Sequence, residues 1–486
     1  MPLNASTTRL HVASPSGLPY TNRSAKKIPA EIINEIFKHL IVNILVIHNS
    51  REFPWYVGQI CAAWRAVFTS TPWIWRKFII HVCHFTDRKL ENAARLVKLC
   101  IQRSRNQPLS FSFLYAGAYL TPKLRQYVNQ MLSDLIVESQ RWEVVDVEAS
   151  FLAFEAFCLL NLSNYPPLLR SMALRTRAIF LDKPKCWELF LNAHNLTRVE
   201  LDVLPGYDFD WSRLTVLTLH DALDVAHVLP VLRRLRCIEK LQLKDFSEAD
   251  EEQDEYFSEA DEEQDVMIAL PTLKVLSCSG NVLCHLRAPA LEELHVDASH
   301  VRGDPLPLPD GAISFLRTLS GSITRLILGS RCCIDSDAKR ILQVLPNVTK
   351  LCLEAPDFDL LDVLPYNLEE GIPVLPMLEL LIVDGYQRQW NTVLVETLYA
   401  TVASRTRKPS LSGWPYGAGK LKELRMINYE KIDNSCLKFL CEEREVKYLA
   451  FGRLEKAGHI WCSEVESCAF DLCNNSSVFL LQSESL

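Results

Sequence analysis

The sequence predicts an α/β protein: a small helical module followed by an irregular solenoid in which helices alternate with parallel strands. Three observations predict it. One short apolar pattern recurs along most of the chain, segments of helical period precede several copies of it, and the N-terminal part lacks it altogether. The recurring pattern is apolar, two variable, apolar, one variable, apolar. Clear copies are "LTRVEL" (Leu196, Val199, Leu201), "LTVLTL" from Leu214, "IEKLQL" from Ile238, "LKVLSC" from Leu273 and "LEELHV" from Leu291. The set continues with "ITRLIL" from Ile323, "VTKLCL" from Val348, "LELLIV" from Leu378, "LKELRM" from Leu421 and "VKYLAF" from Val446, and weaker copies start at Trp142 and Leu169.

The last two apolar positions of each copy are two apart, so they share one side of a short strand. A single such strand cannot bury that side, whereas stacked copies can. Most spacings fall between 18 and 32 residues, the range of leucine-rich repeats and their irregular relatives. "DAKRILQVLP", "ENAARLVKLCIQR" and "LKFLCEERE" have helical periodicity and precede strand patterns, as a helix–strand unit requires.

The N-terminal elements read differently. Residues 1–27 carry no apolar run and are expected to form a flexible tail. In "IPAEIINEIFKHLI", Pro29 and Glu31 suit a helix start, and Ile32, Ile33, Ile36, Phe37, Leu40 and Ile41 form a broad apolar stripe. A loop of about a dozen residues comes next, then a second helical segment with Ile60, Cys61, Trp64, Val67 and Phe68, stopped at Pro72. The expected organisation is a tail at 1–27, a helical module at 28–78 and a connecting helix–strand region at 79–140. The solenoid proper is expected at 141–455, with a cap or tail at 456–486.

The net charge of −7 is uneven. Residues 246–265, "FSEADEEQDEYFSEADEEQD", hold eleven acidic residues and no basic one; the rest of the chain has 52 basic against 48 acidic residues. The unit "FSEADEEQD" occurs twice, which marks a local duplication, read as an exposed insertion between repeats. Its Ser247 and Ser258 are followed by acidic residues, a context acidophilic kinases favour. Residues 1–78 carry nine Lys/Arg against three Asp/Glu, compatible with an acidic protein partner at that end. No basic stripe of the kind nucleic acid requires is present. The longest apolar run, Leu40 to Ile47, is too short to span a bilayer. Sixteen scattered cysteines without a signal-like segment lead to the expectation of a cytoplasmic or nuclear protein.

Candidate chemistry is thin. "GWPYGAGKL" (Gly413 to Leu421) departs from a phosphate-binding loop in glycine spacing, in Leu421 where Ser or Thr is needed, and in preceding a strand pattern. His81, Cys83 and His84, with Cys462, Cys468 and Cys473, lack a zinc-ligand spacing, and no Gly-x-Ser-x-Gly elbow occurs. Trp64, Trp73 and Trp75 can either fill a core shared with the first repeat or face a partner, since large aromatics anchor interfaces.

The N-terminal segment resembles an F-box. The residues that carry the resemblance are Ile28-Pro29, Glu31-Ile32, Ile36-Phe37 and Leu40, then Ile60-Cys61 and Trp64-Arg65, then Pro72-Trp73-Ile74-Trp75. Ile28 stands for the family's usual Leu, Ile60 for its Val, and the loop between helices is longer. "RKFIIHV", "PLSFSFLY" and "RWEVVDV" are similar to the segments C-terminal to the F-box in fungal members. The resemblance implies a non-catalytic substrate receptor of a Skp–cullin–F-box ubiquitin ligase. It would bind a Skp-type adaptor, and through it a cullin, and hold a target protein on the repeats. The adaptor-binding residues it implies are Ile28, Pro29, Ile32, Ile36, Phe37, Leu40, Ile60, Cys61, Trp64, Pro72 and Trp75. Trp64 and Trp75 match family positions, which leaves Trp73 for the junction with the solenoid. No cofactor, metal, nucleic acid or membrane partner is implied. The alternatives are an interaction scaffold without a ligase role and, more remotely, an enzyme with an unrecognised site.

Overall fold

The computed structural model describes residues 28–40, 45–47, 55–82, 87–115, 121–149, 166–176, 193–202, 210–220, 225–243, 267–296, 308–329, 335–354, 358–365, 374–384, 392–406, 421–427 and 447–449. The tail at 1–27, the acidic duplication at 246–265, the segment 413–420, Cys83, His84 and residues 456–486 lie outside them.

Each recurring apolar pattern forms a strand. In chain order these are β1 (Leu45–Val46), β2 (Lys77–Val82), β3 (Leu109–Tyr115), β4 (Trp142–Ala149), β5 (Ser171–Thr176), β6 (Arg198–Leu201), β7 (Val216–Leu219) and β8 (Lys240–Leu243). After them come β9 (Ile268–Ala269), β10 (Val275–Cys278), β11 (Leu286–Arg287), β12 (Glu293–Val296), β13 (Arg325–Leu328), β14 (Lys350–Glu354), β15 (Leu380–Asp384), β16 (Glu423–Ile427) and β17 (Lys447–Leu449). All but β9 and β11, which pair with each other, lie in chain order in one 15-stranded sheet, and every described pair is parallel. The expected helix–strand solenoid is therefore the fold.

The pattern works as its spacing requires. Its first position (Leu196, Leu214, Ile238, Leu273, Leu291, Ile323, Val348, Leu378, Leu421) and its second (Val199, Leu217, Leu241, Leu276, Leu294, Leu326, Leu351, Leu381, Leu424) are buried in one continuous core. The residue between them and the strand also contributes. The carbonyls of Thr197, Thr215, Glu239, Lys274, Glu292, Thr324, Thr349 and Glu379 each accept two backbone N–H groups from the next repeat. That satisfies the polar backbone just outside each short strand, where burial would otherwise be costly.

Helices return the chain between strands, as a parallel ladder needs. Ten are described: α1 (Ala30–Leu40), α2 (Ala62–Ser70), α3 (Asp87–Ser104), α4 (Pro122–Val137), α5 (Val225–Leu232), α6 (Gly280–Leu283), α7 (Asp310–Thr318), α8 (Asp335–Val344), α9 (Phe358–Asp362) and α10 (Thr392–Thr406). The expected helices before β3 and β14 are α3 and α8; the one expected before β17 lies outside the described residues. Irregularity comes from short returns, such as the 3-10 turn Trp211–Arg213 between β6 and β7. In the α10 repeat, Arg405 is 1% exposed and donates to the carbonyls of Leu364, Leu375 and Val374 at 2.9, 2.9 and 2.6 Å. One guanidinium thus fixes a connection in which Leu375 takes a left-handed φ of 50°.

The parallel ladder starts earlier than the repeat pattern. β1 lies between the two helices of the N-terminal module and pairs with β2, and Leu45 and Ile47 are buried in the common core. The module is thus built onto the first edge of the sheet.

Candidate docking surface

The N-terminal module consists of α1, the 3-10 turn Trp55–Gln59, α2 and a second 3-10 turn, Pro72–Trp75. α1 starts directly after Pro29, whose carbonyl accepts from Ile32 and Ile33, with Glu31 in the first turn and Lys38 and His39 in the last. These charges complement the helix dipole. α2 starts after Cys61, whose side chain makes no cap, and Arg65 Nε instead donates to the Gly58 carbonyl at 2.9 Å. Gly58 packs closely on the Phe68 ring, which a Cβ there would meet at 3.0 Å. Thr71 Oγ1 closes α2 by donating to the Val67 carbonyl.

Inside the module, aromatic rings interlock. Phe37 meets Trp64 edge-on at 5.3 Å and Phe68 at 6.1 Å between centroids. Trp75 is fully buried, packed on Phe68 at 4.9 Å and Trp55 at 5.7 Å, and its Nε1 donates to the Phe68 carbonyl. The guanidinium of Arg103, from α3, sits 4.5 Å over the Trp75 ring, a cation–π contact. Trp55 Nε1 donates to the carbonyl of Val46 in β1. Trp73 Nε1 donates to Asn34 Oδ1 of α1 at 3.2 Å.

These contacts reverse two expectations. Phe37 and Trp75 have no exposed surface, so they support the module from within and cannot themselves touch a partner. Trp75 reaches the repeats through Arg103, while Trp73 packs against the common core and ties the second turn back to α1. Cys61, Trp64, Pro72 and Ile36 are half-buried.

The rest of the expected set is outward. α1 is apolar on two faces. Ile33 and Phe37 point into the core, while Ile32 and Leu40 are 51% and 47% exposed, with Ile28 just ahead of the helix and Ile36 between them. The four-residue spacing places Ile32, Ile36 and Leu40 on one side over about 12 Å of helix. The next turn exposes Ile60 and Tyr56. Among the described residues, five of the nine exposed large apolar side chains fall between Ile28 and Ile60, which makes this module the candidate interaction surface. Tyr56 was not expected; its place beside Trp55 in a turn, one ring inward and one outward, is set by the tertiary packing.

The second candidate surface is the sheet face turned away from the helices. One residue from each strand forms a row there: Ser112, Asp146, Ala173, Glu200, Thr218 and Gln242, continued by Ser277, His295, Ile327, Cys352, Ile382 and Arg425. At β4–β7 this face is ionic. Arg175 reaches Asp146 and Glu200 at 2.7 Å each and Glu148 at 3.5 Å, and Glu200 lies 2.7 Å from His220 Nε2. Burial raises the Asp146 carboxyl above its ordinary value despite Arg175. For Glu200 burial works upward too, but the His220 hydrogen bond and the Arg175 charge overcome it and hold the group at about 2.

Further along, Ser277 Oγ is 3.2 Å from His295 Nδ1, and His295 Nε2 is 3.9 Å from Glu354. That last separation is too long for the hydrogen bond that orients a general base, and Ser277 is only 5% exposed. Burial pushes the Cys100 and Cys278 thiols up, away from the reactive thiolate. Among the described residues no group of His, Cys, Asp and Glu could hold a metal, and no helix is long and apolar enough to cross a membrane.

No protein-family model matches the chain, and no curated protein matches it in sequence. Among solved structures it is similar to a chain in the crystal structure of the Rad7 and Elc1 complex in yeast, at 12% identity over 68% of this chain and 84% of that one, with a TM-score of 0.30.

Proposed function

We propose that this chain is the substrate-recognition subunit of a Skp–cullin–F-box ubiquitin ligase, with residues 28–78 binding a Skp-type adaptor and the repeat sheet holding a target protein. One observation carries the reading: α1 has a second apolar face, Ile28, Ile32, Ile36 and Leu40, that nothing in the chain's described residues covers. A lone helix of a soluble module needs one apolar face for its own core; a second serves a partner. Burying an isoleucine or leucine side chain contributes about 1.5–3 kcal/mol, so three or four anchors in one row suffice for a specific complex. The F-box-like order of residues falls on the same elements and supplies the kind of partner. In this role the chain performs no bond chemistry; it brings a target to a conjugating machinery held by the adaptor and cullin.

The test is a calorimetric titration of the full chain with a purified Skp-type adaptor. Saturable binding is expected, and Ile32→Asp combined with Leu40→Asp abolishes it while leaving the unfolding midpoint unchanged. A wild-type chain that binds no Skp-type adaptor refutes the ligase reading.

A further inference from the structure

The chain between α1 and α2 reads as a spacer, yet its residues 45–47 are built into the sheet. Leu45 and Val46 pair with Phe78 and Ile79 of β2, and the Ile47 N–H donates to the Ile79 carbonyl at 2.9 Å. Leu45 and Ile47 are buried. β1 is the first strand of the ladder, so its outer edge carries backbone groups with no neighbouring strand to meet. Ile47 faces β2, so alternation turns the Val46 carbonyl to that edge, and there it accepts from the Trp55 indole N–H at 3.0 Å. The Trp55 ring lies 5.7 Å from Trp75 and 6.5 Å from Phe68, and Phe68 lies 6.1 Å from Phe37 of α1. Arg103 of α3 covers Trp75 from the repeat side at 4.5 Å. Ile33, Phe37, Leu45, Trp75, Phe78 and Leu90 thus belong to one core that runs from α1 through β1 to α3.

We infer that residues 45–47, with Trp55, act as a strap that fuses the N-terminal module to the repeat sheet. The strap holds the α1 row and the sheet face in one fixed orientation, and through it a protein docked on α1 stabilises the first repeats. The coupling rests on the adaptor reading of α1; the fixed orientation does not. Domains that move against each other meet through modest, fairly polar interfaces joined by flexible linkers. Here the join is a hydrogen-bonded strand pair backed by an aromatic core, and a packed core has discrete arrangements in place of a continuous range. Swinging α1 away from the repeats parts β1 from β2 and uncovers Leu45 and Ile47, so the chain cannot hinge there while the strap is paired. A flexible linker would spread a target over a range of distances from the adaptor. With the strap closed, a target on the sheet faces whatever docks on α1 at one distance and one angle.

Spin labels carried by noncanonical amino acids at Glu35 on α1 and Gln126 on α4, both exposed, read the orientation in the full chain by double electron–electron resonance. One narrow distance distribution is expected; a broad or two-peaked one overturns the strap. Ile47→Pro removes the N–H that pairs with Ile79 and widens the distribution, and a folded Ile47→Pro chain with an unchanged distribution also overturns it. The wild-type distribution decides the matter where Ile47→Pro does not fold. Coupling is read by amide hydrogen exchange of the full chain with a purified Skp-type adaptor at about one hundred times its Kd. Amides that exchange only when the module and the first repeats open together slow by about a hundredfold. That slowing is expected equally in α1 and in β2, and slowing in α1 with β2 unchanged overturns the strap. A narrow distribution in a chain that binds no adaptor refutes the ligase reading alone. A broad distribution with adaptor binding intact refutes the strap alone.

Discussion

Ile32 and Ile33 are chain neighbours in one helix, yet they face different surroundings: Ile33 is 1% exposed and Ile32 51%. Alanine substitution at each separates folding from docking. Ile33→Ala removes buried methyl and methylene groups from the packing around Phe37 and leaves a cavity, which costs about 2–5 kcal/mol. Ile32→Ala removes atoms already half in water, so folding changes by no more than about 0.5 kcal/mol. Docking reverses the order. If Ile32 is an anchor, its truncation costs about 1.5–3 kcal/mol of binding, a roughly tenfold to hundredfold weaker adaptor complex. Ile33→Ala, measured where it is still folded, leaves the anchor in place and binding close to wild type. Urea unfolding midpoints and calorimetric titration with a Skp-type adaptor read the two effects separately. Equal destabilisation by both substitutions, or loss of adaptor binding in Ile33→Ala but not in Ile32→Ala, refutes the assignment of the two helix faces.

The repeats give two further expected outcomes. Arg405→Met leaves three buried carbonyls without the guanidinium and lowers stability by about 3–5 kcal/mol; Arg405→Lys does not restore it, since an ammonium lacks the planar fork, and thermal unfolding of both variants checks this. Glu200 is held at about 2 in the fold against an ordinary 4.5, so its contribution is present above pH 4.5 and is lost as pH falls towards 2, amounting to about 3 kcal/mol. Asp146, raised by burial, works in the opposite sense over the same acidic range. Glu200→Gln therefore lowers the urea midpoint at neutral pH and flattens its fall on acidification; an unchanged acid profile contradicts the ionic ladder.

How much of this was legible in the sequence varies with distance along the chain. The leucine pattern was enough for the repeats because both of its key positions face one core in every strand. A two-residue alternation therefore states the face directly. The start of the ladder was not legible. β1 is two residues long, sits in what reads as a loop, and gains its pairing from β2, more than thirty residues later. At the proposed docking surface, the apolar character of the candidate residues was readable and their orientation was not. A helix with apolar residues at 32, 33, 36, 37 and 40 carries a broad stripe, and only packing against Trp64 and Phe68 decides which part is core.

By itself, then, the sequence determined a chain of stacked strand repeats, an N-terminal helical module of F-box-like order and the apolar character of its helices. Those properties are set by local spacing, which survives in one dimension. The tertiary structure decided that Phe37 and Trp75 lie inward, that Ile32, Leu40, Tyr56 and Ile60 lie outward, and that Arg103 clasps the junction. It also decided that residues from β4 to β16 share one face, with the ionic ladder of Asp146, Arg175 and Glu200 at one end. Exposure and charge balance are sums over neighbours brought from distant parts of the chain, and the spacing of a single segment does not contain them.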